Sequence, residues 1–338
     1  MDATRRVVTR DQLEGVARAA LGAGHRLVSV SRLRGGSKKG VYRLAFDDDS
    51  TAIVYIWADE ENYWPTARSD ADADDDHADP FSPASGLALF EAAHRHLAGL
   101  GIRTPRLRLA DRSRSYYPAD IAVVEDVPGD NLETRLRQDP RGVAATMARL
   151  AEALGAMQRH DGPRFGKVAL IDRGGGSEGG SCERVVLDRA LDDLAEAAAR
   201  DPRMTRARDG LESTVRRLAA AVRSRSRYGL IHGELGPDHV LVDRHGQPVL
   251  VDIEGLMFFD VEWEHAFLRL RFGEHYRWLD RDGLDERRLR FYTLAMHLSL
   301  VAGPLRLLDG DFPDRDVMRG IAEHNLREAL AFQSADGR

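Results

Sequence analysis

The 338-residue sequence holds a single cysteine, Cys182, so no disulfide can close within it and a cysteine-rich zinc site is excluded. No run of about 18 apolar residues is present, and no membrane-spanning helix is expected. The opening stretch, MDATRRVVTRDQLEG, lacks the apolar core of a signal peptide, so a cytoplasmic location is expected. An excess of positive charge is missing too. Lys and Arg total 49 against 55 Asp and Glu, for a net charge of -6. Neither a nucleic acid nor an anionic membrane is therefore expected as a partner. Lysine itself is scarce, with only Lys38, Lys39 and Lys167, and two of these are adjacent.

What is present organises into two halves. Residues 9–21 read as a short helix with Thr9 as N-cap and Leu13, Val16 and Ala20 on one face. Apolar-rich runs then alternate with turn signals. Gly35-Gly36 and the DDDS at 47–50 separate three expected antiparallel strands, 27–34, 40–46 and 51–57. Residues 58–85 are acidic, contain proline and show little periodicity, which predicts a long solvated loop or, on a second reading, an acidic lid for a cationic substrate. GLALFEAAHRHLAGLGI (86–102) has the spacing of an amphipathic helix, and TPRLRLAD and DIAVVEDVPGD read as two further strands. From residue 130 onward the pattern is helical. Helices are expected over LETRLRQD, RGVAATMARLAEALGAMQRHDG, 183–200 and 208–226, with a Gly-rich break at 174–180. A loop, a short strand, a turn and a strand ending PVLVDIE come next, and the remainder is helix.

The interruption in the helical half carries the chemistry. It reads LIHGELGPDHVLVDRHGQPVLVDIEG (230–255). This stretch is similar to the catalytic loop and metal-binding strand of the aminoglycoside phosphotransferase branch of the protein-kinase-like fold, also called the phosphotransferase enzyme family. The resemblance covers roughly residues 30–300. It implies an α+β, bilobal architecture, with a small β-rich N-lobe (1–127) and a mainly helical C-lobe (128–338) carrying a catalytic loop at 230–243 and a metal-binding segment at 249–255. It also implies ATP or GTP and Mg2+ as cofactors and a small-molecule acceptor.

Carried over residue by residue, the resemblance puts Glu234 at the catalytic-base position, where the family has Asp. His239, five residues on, stands at the position of a metal-binding Asn. Asp252, eighteen residues beyond Glu234, and Glu254 fall on the metal-binding edge. His232 and Asp260 are the implied braces of the loop. For the nucleotide, the resemblance implies the turn Gly35, Gly36, Ser37, Lys38 and Lys39, the helix glutamate Glu91, and the connector residues Glu125 and Val127. The strand lysine that usually holds the phosphates and pairs with a helix glutamate is absent, with Tyr55 in its region. GSKKGVY is similar to the pattern in with-no-lysine protein kinases, which move that lysine into the Gly-rich turn, and Lys39 falls on the relocated position.

The residue chemistry agrees. Phosphoryl transfer needs a base or positioner for the acceptor hydroxyl, oxygen ligands for magnesium, and cations on the phosphates. Asp252 ends an apolar run, and Glu254 projects to the same side if extended geometry continues. A carboxylate at 234 keeps the chemistry of a base on a longer arm. Imidazole at 239 is a poor magnesium ligand. Glu262, Glu274, Asp280, Asp282 and Asp285 are acids that could hold a cationic acceptor, although interleaved arginines equally describe a salt-bridged helix surface. Three readings follow: an O-phosphotransferase for an antibiotic or natural-product hydroxyl, a pseudokinase that binds nucleotide or a partner, and a peptide Ser/Thr kinase.

Overall fold

A computed structural model of the protein describes residues 8–33, 36–64, 79–82 and 84–336, the side chains of 333–336 excepted. Gly35 and most of the acidic stretch lie outside the described residues. The chain is α+β and divides into two compact units. Unit 1 comprises Met1–Ala67, Pro83–Arg149 and Asp238–Gly255; unit 2 comprises Arg68–Ser82, Leu150–Pro237 and Leu256–Arg338.

Unit 1 is built on a five-stranded antiparallel sheet in the order β1-β2-β3-β5-β4, formed by β1 (Leu27–Arg32), β2 (Gly40–Phe46), β3 (Thr51–Trp57), β4 (Leu107–Asp111) and β5 (Asp120–Glu125). Successive strand residues face opposite ways, so each strand divides its side chains between two layers. Tyr42, Leu44 and Phe46 of β2, with Ala52, Val54 and Ile56 of β3, pack on Leu13 and Val16 of helix α1 (Arg10–Leu21). Thr9 is the N-cap of α1, and its backbone N–H is taken by Gln12 Oε1 at 2.9 Å. The alternate residues of β3, Tyr55 and Trp57, lie on the other face, in edge and tilted contact with Phe90 of α2 (Leu87–Gly99).

The hairpin of β9 (Val240–Val242) and β10 (Pro248–Leu250) belongs to unit 1. Backbone bonds explain why. Val242 N–H donates to Asp130 O (3.2 Å) and Leu250 N–H to Arg103 O (2.9 Å). Helix α3 (Leu132–Gln138) follows Asn131, whose side chain caps it by accepting from Thr134 N–H at 2.9 Å. Helix α4 (Ala144–Arg159) contains the division between the units, which falls after Arg149.

Unit 2 has a small antiparallel sheet in the order β6-β8-β11-β7, from β6 (Asp161–Gly162), β7 (Gly166–Lys167), β8 (Tyr228–Ile231) and β11 (Met257–Phe259). Around it are α5 (Val168–Asp172), α6 (Cys182–Arg200), α7 (Pro202–Ala220), α8 (Val261–Phe272), α9 (Glu286–Asp309) and α10 (Arg315–Asp336). Helix α7 starts at Pro202, not at 208 as the sequence pattern suggests. Asp201 ends α6 and caps α7 at once, accepting from Arg203 N–H at 2.8 Å, and Pro202 needs no N–H at the first helical position. Strand β11 was not expected; Phe258 and Phe259 in it are buried, as is Trp263 of α8. Phe267 is half-buried beneath the Arg271 guanidinium. Helix α9 is long and apolar enough to cross a membrane by length and composition, although no unbroken apolar run of that length lies in it, and 61% of its apolar stretch is buried inside the protein.

Candidate active site

In unit 1 the site grows from the register of two strands. Val41 of β2 pairs directly with Tyr55 of β3, so both lie on the same sheet face. Lys39, two residues before Val41, follows the same alternation, and its ammonium rests 5.1 Å from the centre of the Tyr55 ring. Tyr55 thus becomes the wall against which Lys39 packs. Lys39 is only 7% exposed. Its Nζ donates to Asp252 Oδ1 at 2.8 Å and to Glu254 Oε1.

The turn before β2 is fixed by the segment after β3. Tyr63 N–H donates to Ser37 O and Trp64 Nε1 to Ser37 Oγ, each at 2.8 Å, and the Lys38 ammonium lies 5.9 Å from the Trp64 ring centre. Gly36 has φ 76, and a Cβ there would stand 2.9 Å from Lys39 O, so this position requires glycine. The first residues of the acidic stretch are therefore structural. Glu61 is buried, paired with Arg32 at 2.7 Å and accepting from the Tyr42 hydroxyl.

Asp252 and Glu254 meet Lys39 by a different route from the expected one. Strand β10 stops at Leu250, Asp252 takes φ 59, and Ile253–Gly255 form a 3-10 turn. A left-handed conformation is costly for a residue other than glycine, though Asp and Asn tolerate it best. Here it turns the chain so that Glu254 is buried while Asp252 keeps 44% of its side chain exposed. The two carboxylates respond differently. The Lys39 charge, working against burial, holds Asp252 well below the ordinary carboxylate range, with His239 adding to the effect. Burial pushes Glu254 up, with Lys39 opposing and Asp252 reinforcing. For Lys39, burial opposes the charge, but the two carboxylates outweigh it and raise the ammonium above its ordinary value.

Several expected roles change. Glu91 on α2 pairs with Arg112 and not with the lysine. Glu254 and Asp252 both accept from Lys39, and Glu254 is the buried one of the two. His239 Nε2 stands 3.9 Å from Asp252 Oδ2 and 3.6 Å from Asp238 Oδ2. Among the described residues no group of three or more His, Cys, Asp or Glu side chains is placed to hold a metal ion. Asp252 Oδ2 is the carboxylate oxygen best suited to one hard cation, since Lys39 takes Oδ1. Magnesium is commonly bound through one or two carboxylates plus water and phosphate, so this donor set fits one ion better than two. Glu125 pairs with Arg103 and Arg106 (3.1 and 3.2 Å), and Val127 is buried.

In unit 2 the loop after β8 carries Glu234, which is exposed, between His232 and Leu235, which are buried. Its brace is Glu264 on α8, fully buried, whose Oε2 accepts the backbone N–H of His232 (2.6 Å) and of Gly233 (3.0 Å). Asp260 does not brace this loop. It stands at the N-cap of α8 without a capping side-chain bond, and its carboxylate goes to Arg288 and the Tyr292 hydroxyl, both on α9. The resemblance puts Glu264 in place of a later aspartate of the family, in a region that supports the site; its bonds to the loop are what the structure adds. Of the acids suggested for an acceptor, Glu262 is buried on Arg225 (2.6 Å), and Asp285 caps α9. Asp280 accepts from Tyr276 and from Arg281 N–H. Asp282 and Glu274 are exposed.

Burial raises the Glu264 carboxyl from 4.5 to about 7, against the lowering effect of the N–H groups, with the Glu234 charge adding to the rise. The folded state therefore binds this proton more tightly than the unfolded chain. The stability it contributes is full below about 4.5 and is lost as pH rises through about 7. Glu264→Gln keeps an acceptor for the loop and removes the proton. The difference in unfolding free energy between the two proteins should therefore change across this window by at most about 1.4 kcal/mol per pH unit. Urea titrations between those limits measure it; parallel pH curves would rule the account out.

An N-terminal antiparallel sheet, a lysine on paired carboxylates beyond a hairpin, and a braced loop leading into that hairpin define a kinase-like phosphotransferase. The chain belongs to the phosphotransferase enzyme family, whose model matches residues 29–302. Among solved structures it is similar to a thermostable mutant of the aminoglycoside phosphotransferase APH(4)-Ia, with 17% identity over 93% of this chain and 98% of that one and a TM-score of 0.61. It is also similar to the spectinomycin phosphotransferase APH(9)-Ia, solved with ADP and spectinomycin (13%, 97% and 99%, TM-score 0.63). A third is the choline kinase LicA from Streptococcus pneumoniae (14%, 96% and 99%, TM-score 0.60). No curated protein matches the chain. Family membership makes it a phosphotransferase of small molecules with a hydroxyl acceptor.

Proposed function

We propose that this protein is an ATP-dependent O-phosphotransferase of the cytoplasm whose acceptor is a hydroxylated antibiotic, aminoglycoside-like, or a natural-product intermediate. The observation that carries the reading is Lys39, buried on Asp252 and Glu254, which supplies the phosphate cation that β3 lacks. The relatives support the acceptor class, since two of them are antibiotic phosphotransferases.

In this reading Glu234 orients the acceptor hydroxyl and takes its proton. The acceptor oxygen forms a bond to the γ-phosphorus as the bond from that phosphorus to the bridging oxygen breaks, and ADP leaves. Lys39 holds phosphate oxygens through a compact charge. Asp252 would hold a magnesium ion, which when bound neutralises charge on the transferred group. Glu264 keeps the Glu234 loop in place through two backbone N–H groups.

The test is incubation with magnesium and ATP or GTP, against aminoglycosides, spectinomycin, choline and a basic Ser/Thr peptide, followed by mass spectrometry. A phosphorylated small molecule is expected. A phosphopeptide alone would replace this acceptor class with a peptide. Nucleotide binding without a product from any acceptor would favour a pseudokinase.

A further inference from the structure

Lys39 needs a fixed partner, and the helix glutamate is not available, because Glu91 is committed to Arg112. Two carboxylates reach the ammonium instead, and they are not equivalent. Asp252 is partly exposed, and its second oxygen faces away from Lys39 toward the His239 side. It is the group that a cation would draw on. Glu254 is 3% exposed, its Oε1 accepts from Lys39, and its Oε2 has no hydrogen-bond partner among the described residues. A buried carboxylate with one partner is strongly tied to that partner, because losing it strands a charge in a dry site.

We propose that Glu254 is the positioning residue for Lys39: it holds the ammonium toward the nucleotide phosphates from the 3-10 turn after Asp252, replacing a helix glutamate. The inference rests on the phosphotransferase reading above. It assigns to Glu254 a role through the lysine and none on the metal. The route is short. Asp252 at φ 59 turns the chain, the 3-10 turn places Glu254 inside, and Lys39 meets it beside the Tyr55 ring.

The experiment measures nucleotide affinity directly, without acceptor, using a fluorescent ATP analogue with magnesium and again with EDTA. Glu254→Gln is nearly isosteric and removes the charge. It should weaken binding about tenfold in both conditions, and by less than about twofold in a Lys39→Met background, the coupling expected of contacting residues. Glu91→Ala should leave affinity unchanged. Unaltered binding by Glu254→Gln overturns the proposal. So does a loss of equal size in the Lys39→Met background, or a loss seen only with magnesium, which would make Glu254 a metal ligand. Should the glutamine variant not fold, Glu254→Asp, which keeps the charge on a shorter arm, carries the same comparison. If Glu254→Gln is silent while Lys39→Met and Asp252→Asn weaken binding, only this inference fails. A wild-type protein that binds no nucleotide overturns the phosphotransferase reading and this inference together.

Discussion

Asp252→Asn should lower phosphoryl transfer by about 10³-fold, the scale of losing a group aimed at developing charge in a transition state. Asparagine is the informative replacement. The residue sits at φ 59, which Asn adopts nearly as readily as Asp, so the backbone turn that delivers Glu254 to Lys39 survives. Alanine at the same place adds about 1–2 kcal/mol of left-handed strain. The two variants should be equally inactive, and Asp252→Ala alone should melt at a distinctly lower temperature. Steady-state kinetics with an identified acceptor and thermal unfolding together decide this. An Asn variant with more than a tenth of wild-type turnover would remove Asp252 from the chemistry. The carboxyl is held low by Lys39, so its contribution to stability is present above the ordinary carboxylate range and is lost as pH falls through its depressed value. The Asn variant should accordingly resemble the wild type most closely in strong acid.

Lys39→Met should have the largest combined effect. Nucleotide affinity should fall about a hundredfold, since a phosphate-binding charge is lost where correct placement governs the rate. Stability should fall as well, by about 3 to 5 kcal/mol, because Glu254 is left buried without its cation. The methionine keeps most of the packing against Tyr55, so the loss reports charge more than volume. The stability deficit has a direction in pH. Burial already pushes the Glu254 carboxyl up, and removing Lys39 removes the influence that opposes it. The folded variant then binds the Glu254 proton more tightly than the unfolded chain does. Its stability should be greatest below the ordinary carboxyl value and fall as pH rises through the raised one. Urea unfolding across that range measures it. Lys38→Met, which removes a half-buried ammonium over Trp64, should cost much less stability.

The two lysines show how far the sequence reached. In a chain with three lysines, an adjacent pair in a Gly-rich turn, together with Tyr55 on β3, drew attention to Lys39, and the structure buries it on Asp252 and Glu254. Its partners were not legible: the resemblance placed Glu91 as the helix glutamate, and the structure pairs that residue with Arg112. Pairing of Lys39 with Glu254, 215 positions further along the chain, is a tertiary event, invisible to local pattern. The same holds for the brace of the catalytic loop. Asp260 has the sequence position of a cap, but an arginine and a tyrosine of α9 claim its carboxylate, and Glu264, one turn further on, takes the loop.

The three strands set off by Gly35-Gly36 and DDDS, the cap Thr9 and the strand-rich first half are local properties, and the sequence determined them alone. It also determined the family, through the ordered stretch from His232 to Glu254. Tertiary structure decided which carboxylates do what. One left-handed residue at 252 ended the strand that local pattern would have continued to Glu254. That change of direction moved Glu254 from an exposed edge into the interior, where a buried acid must find a cation, and Lys39 was there to meet it.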